Sequence, residues 1–145
     1  MKCNLSDKIH RMNYLISETD ALYHQACLKI GLADSVMRVL YTIHDHGESC
    51  LLSDIYKGSG ISKQTVNTAI RKLEKDEILY LEQYKGRAKR VCLTEQGKEY
   101  VLNTAARIFE TESEVFSSWS QEEIDAYIHL LEKYMQSFQK QLTKL

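Results

Sequence analysis

The amino-acid sequence predicts a mainly α-helical fold with one small β-hairpin. Its 145 residues include no proline, and proline in the middle of a helix breaks or kinks it. Apolar residues recur at steps of three, four or seven along most of the chain, which is the spacing of one helix face. Two short apolar runs flank a polar turn with a glycine near its tip, and this pattern predicts the hairpin.

The first two helices are predicted over residues 5–30 and 34–46. Gly31 interrupts the first apolar stripe, and Gly47 is a suitable C-terminal stop for the second helix. The first stripe consists of Leu5, Ile9, Met12, Ile16, Tyr23, Cys27 and Ile30. The second consists of Val36, Val39, Leu40 and Ile43. Both helices are therefore expected to be amphipathic.

A short helix, a glycine turn and a longer helix are predicted over residues 51–75. The short helix spans residues 51–57, and Gly58-Ser59-Gly60 forms the turn. Ser62 is placed to cap the longer helix, called the recognition helix below, through its hydroxyl. The inner face of the recognition helix consists of Val66, Ala69, Ile70 and Leu73. This is helix-turn-helix organisation, in which the first helix braces the second so that its exposed face enters a DNA major groove.

The hairpin and two further helices complete the prediction. Residues 78–81 and 90–93 are the strands, and residues 84–89 form the turn between them. Thr94 is placed to cap a fifth helix, which runs through Tyr100, Val101, Ala105, Ile108 and Phe109. Ser120-Gln121-Glu122-Glu123 is a capping box that opens the last helix. The stripe of the last helix consists of Ile124, Tyr127, Ile128, Leu131, Tyr134, Met135, Phe138 and Leu142.

The helix-turn-helix and the hairpin together predict a winged helix-turn-helix that binds DNA. The expected groove-facing residues are Ser62, Lys63, Gln64, Thr65, Asn67, Thr68 and Arg71. The hairpin, or wing, carries Lys85, Arg87, Lys89 and Arg90. Arginine prefers narrow minor grooves of strongly negative potential. The recognition helix alone is equally consistent with a solvated amphipathic helix, so the basic hairpin decides the interpretation.

Charge is distributed unevenly along the chain, although the formal net charge is only −1. Residues 61–93 contain eight cations against four acids, whereas residues 108–145 contain three lysines against seven acids. A basic middle segment followed by an acidic C-terminal segment fits one face that meets a polyanion and another that faces away from it.

Four segments carry a family resemblance. They are Gly60-Ile61-Ser62-Lys63-Gln64-Thr65-Val66, Leu73-Glu74-Lys75-Asp76, Arg87-Ala88-Lys89-Arg90-Val91-Cys92-Leu93-Thr94-Glu95-Gln96-Gly97 and Ser120-Gln121-Glu122-Glu123. The third contains part of the wing and an LTxxG pattern. In these segments, and over nearly its whole length, the chain resembles the MarR family of bacterial regulators.

The resemblance implies a homodimer whose N- and C-terminal helices intertwine. Residues 1–30 and 108–145 are then the dimerisation region, and residues 31–107 are the DNA-binding winged helix-turn-helix. The two recognition helices are expected in successive major grooves of a pseudo-palindromic operator, with the wings in the flanking minor grooves. The implied protein is a cytoplasmic transcriptional regulator, a ligand- or stress-responsive repressor, whose partners are double-stranded DNA and a second copy of itself.

The tip of the wing departs from the family pattern. Members of the family usually carry Asp-x-Arg, whereas Lys85-Gly86-Arg87 stands here. The resemblance assigns a minor-groove contact to Arg87. Because Lys85 replaces the aspartate, the ion pair that steadies the arginine is lost, and the rigidity of the wing is left open. Lys85 is available instead as a phosphate contact.

The terminal apolar stripes favour dimerisation on their own account. They are longer than a winged helix covers, and a monomer rarely exposes a contiguous apolar patch larger than a few hundred Å². A two-fold dimer also matches two half-sites spaced by about 34–36 Å. The alternative is a helical cap that folds back on its own domain.

A small aromatic effector is the expected signal. A pocket between the first two helices and the dimer helices would be lined by Tyr14, Met37, Tyr41 and His44. The alternative is that these four are ordinary core side chains.

Oxidant sensing would need an accessible thiolate of low pKa at Cys27 or Cys50, and neither lies in a sensor motif. Metal sensing lacks a ligand set, since pairs such as His24 and Cys27 supply only two ligands.

Catalysis, cofactor binding and membrane insertion are not predicted. No nucleophile–base pair, phosphate-binding glycine loop or metal set is visible, so we expect no catalytic residue, metal or cofactor. The chain has neither a run of about 18 apolar residues nor a signal-peptide core, which favours a cytoplasmic protein.

The four cysteines, Cys3, Cys27, Cys50 and Cys92, are expected to be free thiols. The main alternative function is a winged helix used as a protein-interaction or architectural module.

Overall fold

The computed structural model describes residues 4–145 and confirms the mainly α-helical fold with a small sheet. Within this range there are seven helices and three strands. In chain order they are α1 (Leu5–Ile30), α2 (Asp34–Asp45), β1 (Ser49–Leu51), α3 (Leu52–Gly58), α4 (Lys63–Lys75), β2 (Leu79–Gln83), β3 (Lys89–Leu93), α5 (Glu95–Asn103), α6 (Ala105–Ser117) and α7 (Gln121–Leu142). Helix α4 is the recognition helix, and β2 and β3 form the wing.

The sheet has a third strand, β1, that the sequence did not predict. It pairs antiparallel with β3, with Cys50 opposite Val91, and β3 also pairs with β2, so the strand order is β1-β3-β2. Three residues are too few to show an alternating pattern, and pairing with a distant strand is what makes them extended. The predicted helix over residues 51–57 accordingly begins one residue later, at Leu52.

The predicted fifth helix is two helices, so that prediction was wrong. Thr104, between α5 and α6, has φ −129° and ψ −94°, which lies outside the helical range. Its hydroxyl donates to the Tyr100 carbonyl oxygen at 2.7 Å. Val101, Ala105 and Ile108 are all buried and keep a helical spacing across the break, so the apolar pattern does not reveal it.

The described residues form two compact units, which divide between Ile108 and Phe109. In the first unit, α2 is central because it contacts α1, α3, α4, α5 and β1. The fully buried large side chains of this core include Val39, Leu40, Ile43, Ile55, Val66, Leu79, Val91 and Val101. One core therefore supports the helix-turn-helix and the base of the wing.

A close approach of two backbone segments joins the wing to α5. The Thr94 N–H donates to the Ile78 carbonyl oxygen at 3.0 Å. The Thr94 hydroxyl donates to the Glu77 carbonyl oxygen at 2.7 Å and accepts from the Gly97 N–H at 2.9 Å. A Cβ at Gly97 would lie only 1.8 Å from the Ile78 carbonyl oxygen. The threonine and glycine of the LTxxG pattern thus anchor the start of α5 against the start of the wing.

The terminal helices expose long apolar faces within the single chain. Helix α1 buries only Cys27, and α7 buries no residue. The exposed apolar residues of α1 include Leu5, Ile9, Met12, Leu15, Ile16 and Leu22. Those of α7 include Tyr127, Ile128, Leu131, Tyr134, Met135, Phe138 and Leu142. Across residues 4–145, no helix combines the length and the apolar character that a membrane span requires.

Candidate nucleic-acid interface

The recognition helix α4 begins at a well-formed cap, as predicted. Gly60 has a left-handed φ of +73°, which turns the chain from α3 towards α4. The Ser62 Oγ accepts a hydrogen bond from the Thr65 backbone N–H at 3.2 Å and lies 2.8 Å from the Thr65 Oγ1. Two of the predicted contact residues are therefore engaged in fixing the start of the helix.

The outer face of α4 presents polar and cationic side chains. Lys63, Gln64, Thr65, Thr68 and Arg71 are exposed. The Thr68 Oγ1 donates to the Gln64 carbonyl oxygen at 3.0 Å, and the Arg71 guanidinium donates to the Thr68 Oγ1 at 3.4 Å. These three residues form one connected row along the helix. The sequence from Lys63 to Lys72 contains no carboxylate, so this face is open to a polyanion.

Asn67 differs from the other predicted contact residues. Its side chain is half-buried, and its Oδ1 accepts a hydrogen bond from the Tyr56 hydroxyl at 2.6 Å. Tyr56 belongs to α3, and the centre of its ring lies 5.2 Å from the Lys63 Nζ. Tyr56 was not predicted as a functional residue, because the sequence pattern indicates only that α3 supports α4. The one feature of the sequence that could have indicated it is an aromatic residue on the first helix of the helix-turn-helix.

Hydrogen bonds close the loop of the wing. The Tyr84 N–H donates to the Ala88 carbonyl oxygen at 3.0 Å, and the Ala88 N–H donates to the Lys85 carbonyl oxygen at 2.9 Å. The Gln83 Nε2 donates to the Gly86 carbonyl oxygen at 2.9 Å. The exposed cations of this loop and its flanks are Lys85, Arg87 and Lys89.

The Tyr84 ring is close to two cations of the wing. The guanidinium carbon of Arg90 lies 4.7 Å from the ring centre, and the Lys85 Nζ lies 5.7 Å from it. Arg90 also pairs with Glu82, with 3.8 Å between the Nε and the Oε1. Such cation–π contacts are attractive. These contacts hold Arg90 and Lys85 beside the Tyr84 ring, and none of them uses an aspartate.

The four residues of the predicted effector pocket do not share one environment. Tyr14 is exposed, Met37 is buried, and Tyr41 and His44 are half-buried. A cavity of about 220 Å³ in the first unit is lined by other residues, including Leu32, Val36, Lys72, Leu73, Ile78 and Tyr100. The effector pocket therefore stays a prediction.

The three cysteines among the described residues do not have the properties of an oxidant sensor. Cys27, Cys50 and Cys92 are free and buried, and Cys3 lies outside the described residues. Burial raises the pKa of the Cys50 thiol to about 11, with a further contribution from the nearby Asp54 carboxylate. Burial, followed by the Asp34 carboxylate, also raises the pKa of Cys27. A protonated, shielded thiol reacts slowly with peroxide, so the structure disfavours thiol sensing at these sites.

Metal ligands are not gathered into a site in the part of the chain that the structure describes. The His24 Nδ1 lies 2.9 Å from the Asp34 Oδ2, so the histidine of the predicted pair already has a carboxylate partner. Residues 4–145 contain no group of three or more His, Cys, Asp and Glu side chains arranged to hold a metal ion.

Comparison with known proteins gives a family match over part of the chain and similar solved structures over most of it. Residues 30–88 match the model of the MarR family. A MarR family regulator from Neisseria meningitidis has a similar structure, with a TM-score of 0.79, 22% identity and coverage of 97% of this chain and 98% of that one. A MarR/EmrR family transcriptional regulator from Acinetobacter sp. ADP1 has a TM-score of 0.73 and 18% identity, with coverage of 94% of this chain and 99% of that one.

A third solved structure, of BpsR from Bordetella bronchiseptica, concerns regulation of its DNA binding by 6-hydroxynicotinic acid. It has a TM-score of 0.68, 23% identity and coverage of 89% of this chain and 98% of that one. The comparison with curated proteins gave no match. The segment that the family model matches contains the whole helix-turn-helix and most of the wing loop.

Proposed function

We propose that this chain, which carries a winged-helix domain of the MarR family, regulates transcription by binding an operator as a homodimer. One observation carries the proposal: the exposed row of α4 and the loop of the wing are both cationic or polar and both free of carboxylates. Ser62, Lys63, Gln64, Thr65, Asn67, Thr68 and Arg71 would face the major groove. Lys85, Arg87 and Lys89 would face the adjacent minor groove and phosphates.

The exposed apolar faces of α1 and α7 support the homodimer. Leu22 of α1 is 61% exposed and Tyr134 of α7 is 68% exposed, which is costly for a monomer in water. A second copy is the proposed occupant of these faces, with residues 1–30 and 108–145 as the dimerisation region. A two-fold dimer presents two recognition helices to a pseudo-palindrome.

An aromatic effector is proposed as the signal that releases the repressor from its operator. Support comes from BpsR, whose DNA binding is regulated by 6-hydroxynicotinic acid. The proposed pocket residues are Tyr14, Met37, Tyr41 and His44, which lie on α1 and α2. An effector that binds only the DNA-free arrangement of the dimer would shift the population away from the operator.

The proposal is tested by measuring operator affinity as a function of salt. We expect affinity to fall steeply with salt, because each phosphate contact releases counterions. Arg71→Ala and Arg87→Ala should each weaken binding by about tenfold to a hundredfold, the equivalent of about 1–3 kcal/mol. Lys144→Ala, which removes an exposed cation far along the sequence from the interface, is the control and should bind like wild type. Affinity that does not respond to salt or to either arginine would indicate a protein-interaction module instead.

A further inference from the structure

We infer that Tyr56 determines base preference by holding the side-chain amide of Asn67. The inference rests on the proposed function, since it assigns a specificity-determining residue to the same interface. Tyr56 is not one of the groove-facing residues, and it acts through Asn67, so it is a positioning residue.

Tyr56 is well placed to hold a neighbour. It is half-buried and packs against the hydrophobic core of the first unit, which restricts its rotamers. Lys63 and Asn67 are four residues apart on α4 and therefore share one face of that helix. Tyr56 contacts both, through its ring at 5.2 Å from the Lys63 Nζ and through its hydroxyl at 2.6 Å from the Asn67 Oδ1. The hydroxyl distance is that of a well-formed O–H···O hydrogen bond.

The hydrogen bond changes what Asn67 offers to DNA. An asparagine amide has an acceptor oxygen and an NH2 group with two donors. The usual bidentate contact with adenine uses both ends at once, the oxygen for N6 and the NH2 for N7. The Tyr56 hydrogen bond uses one of the two lone pairs of the Asn67 oxygen and directs that oxygen towards α3, so the NH2 group is the end of the amide that is free to reach a base. We therefore expect Asn67 to favour a base that presents acceptors, which are O6 and N7 of guanine or O4 of thymine.

The variant Tyr56→Phe isolates this effect. It keeps the ring beside Lys63 and against the core and removes only the hydroxyl. Wild type and variant would each be used to select bound sequences from random duplex DNA. We expect guanine or thymine at one position of each wild-type half-site, and a broadened preference or a shift towards adenine at that position alone for Tyr56→Phe. Its affinity for the wild-type operator should fall about fivefold, with an unchanged salt slope because no cation is removed.

Asn67→Ala and Tyr100→Phe complete the experiment. Asn67→Ala should lose the preference at the same position, and adding Tyr56→Phe to it should change nothing further, because the hydroxyl acts only through Asn67. Tyr100→Phe removes a hydroxyl from a half-buried tyrosine of α5 that packs against the same core, and it should select the wild-type sequence.

The outcomes separate the inference from the proposed function. If wild type selects an operator and Arg71→Ala weakens binding, but Tyr56→Phe retains the wild-type base preference, the inference is wrong and the proposed function stands. Additive effects of Tyr56→Phe and Asn67→Ala would likewise overturn the inference alone. If wild type selects no sequence at all, both are overturned.

Discussion

Gly97 allows α5 to lie against the start of the wing, because any residue with a Cβ would clash with the Ile78 carbonyl oxygen. A methyl group there would lie 1.8 Å from that oxygen, which is backbone and cannot move aside as a side chain can. We expect Gly97→Ala to lower the free energy of unfolding by about 3 kcal/mol, as overpacking does in a tight site. Urea denaturation measures it.

Gly58→Ala is the matched control for Gly97→Ala. Its Cβ would meet only the Thr42 Cγ2 at 3.3 Å, and Gly58 lies in a helix, where alanine is favoured over glycine. The free energy of unfolding should therefore change by less than about 1 kcal/mol. Equal effects of the two substitutions would show that the contact with Ile78 is not what requires glycine.

Cys50 gives a prediction on pH. Its thiol pKa is raised from 9.0 to about 11 in the folded chain, chiefly by burial. As pH rises, the unfolded chain therefore loses this proton at a lower pH than the folded chain does. The contribution of the Cys50 thiol to the free energy of unfolding is full below about pH 9 and declines between about pH 9 and 11. Cys50→Ala should flatten this decline by the contribution of one proton, measured by urea denaturation across the range. An equally steep decline in the variant would assign it to other groups.

The caps were predictable at the scale of single residues, whereas the Tyr56–Asn67 contact was not. Ser62, Thr94 and Ser120 each accept from a backbone N–H three residues later, so a four-residue pattern contains the whole interaction. Tyr56 and Asn67 meet only because two helices cross at a particular angle. No local pattern contains that angle.

Among the elements, the wing gives a prediction of its own. The Tyr84 ring faces the cations of Arg90 and Lys85, at 4.7 Å and 5.7 Å. Tyr84→Leu should weaken operator binding by about fivefold, since a cation–π contact at an exposed site is worth about 0.5–1 kcal/mol. Tyr84→Phe keeps the ring and should bind like wild type. Equal losses for both variants would assign the effect to the hydroxyl and not to the ring.

The elements that the sequence located well are those whose pattern is long and periodic. Helix α1 is found at residues 5–30 as predicted, and α7 begins at Gln121, directly after Ser120, the first residue of the predicted capping box. Strand β1 and the break at Thr104 were missed for opposite reasons. Strand β1 is too short to have a period, and the apolar period runs through Thr104 without interruption.

At the scale of the whole molecule, the exposed apolar face of α7 predicts how a charge placed on that face would affect the dimer. Leu131→Glu should convert the dimer to monomer and weaken operator binding, because a carboxylate in an apolar interface must be desolvated. Gln136→Glu places the same charge on the same helix away from the apolar stripe and should leave the dimer intact. Sedimentation velocity measures the mass of each. A dimeric Leu131→Glu protein would exclude this face of α7 from the interface.

The sequence predicts the effector site of the proposed dimer less well than it predicts the helices and the wing. The apolar stripes and the family resemblance predict a second copy, but the effector residues depend on how Tyr14, Met37, Tyr41 and His44 are arranged once that copy is present. Their exposure within one chain ranges from buried to exposed.

We propose that a homodimer reads a pseudo-palindromic operator through α4 and the wing. Selection of bound sequences from random duplex DNA, using the wild-type protein, tests it most directly. The predicted result is one inverted repeat whose half-sites are about 34–36 Å apart, one helical turn, or a multiple of that spacing. Recovery of no enriched sequence, or of a single half-site without its inverted copy, would contradict the claim.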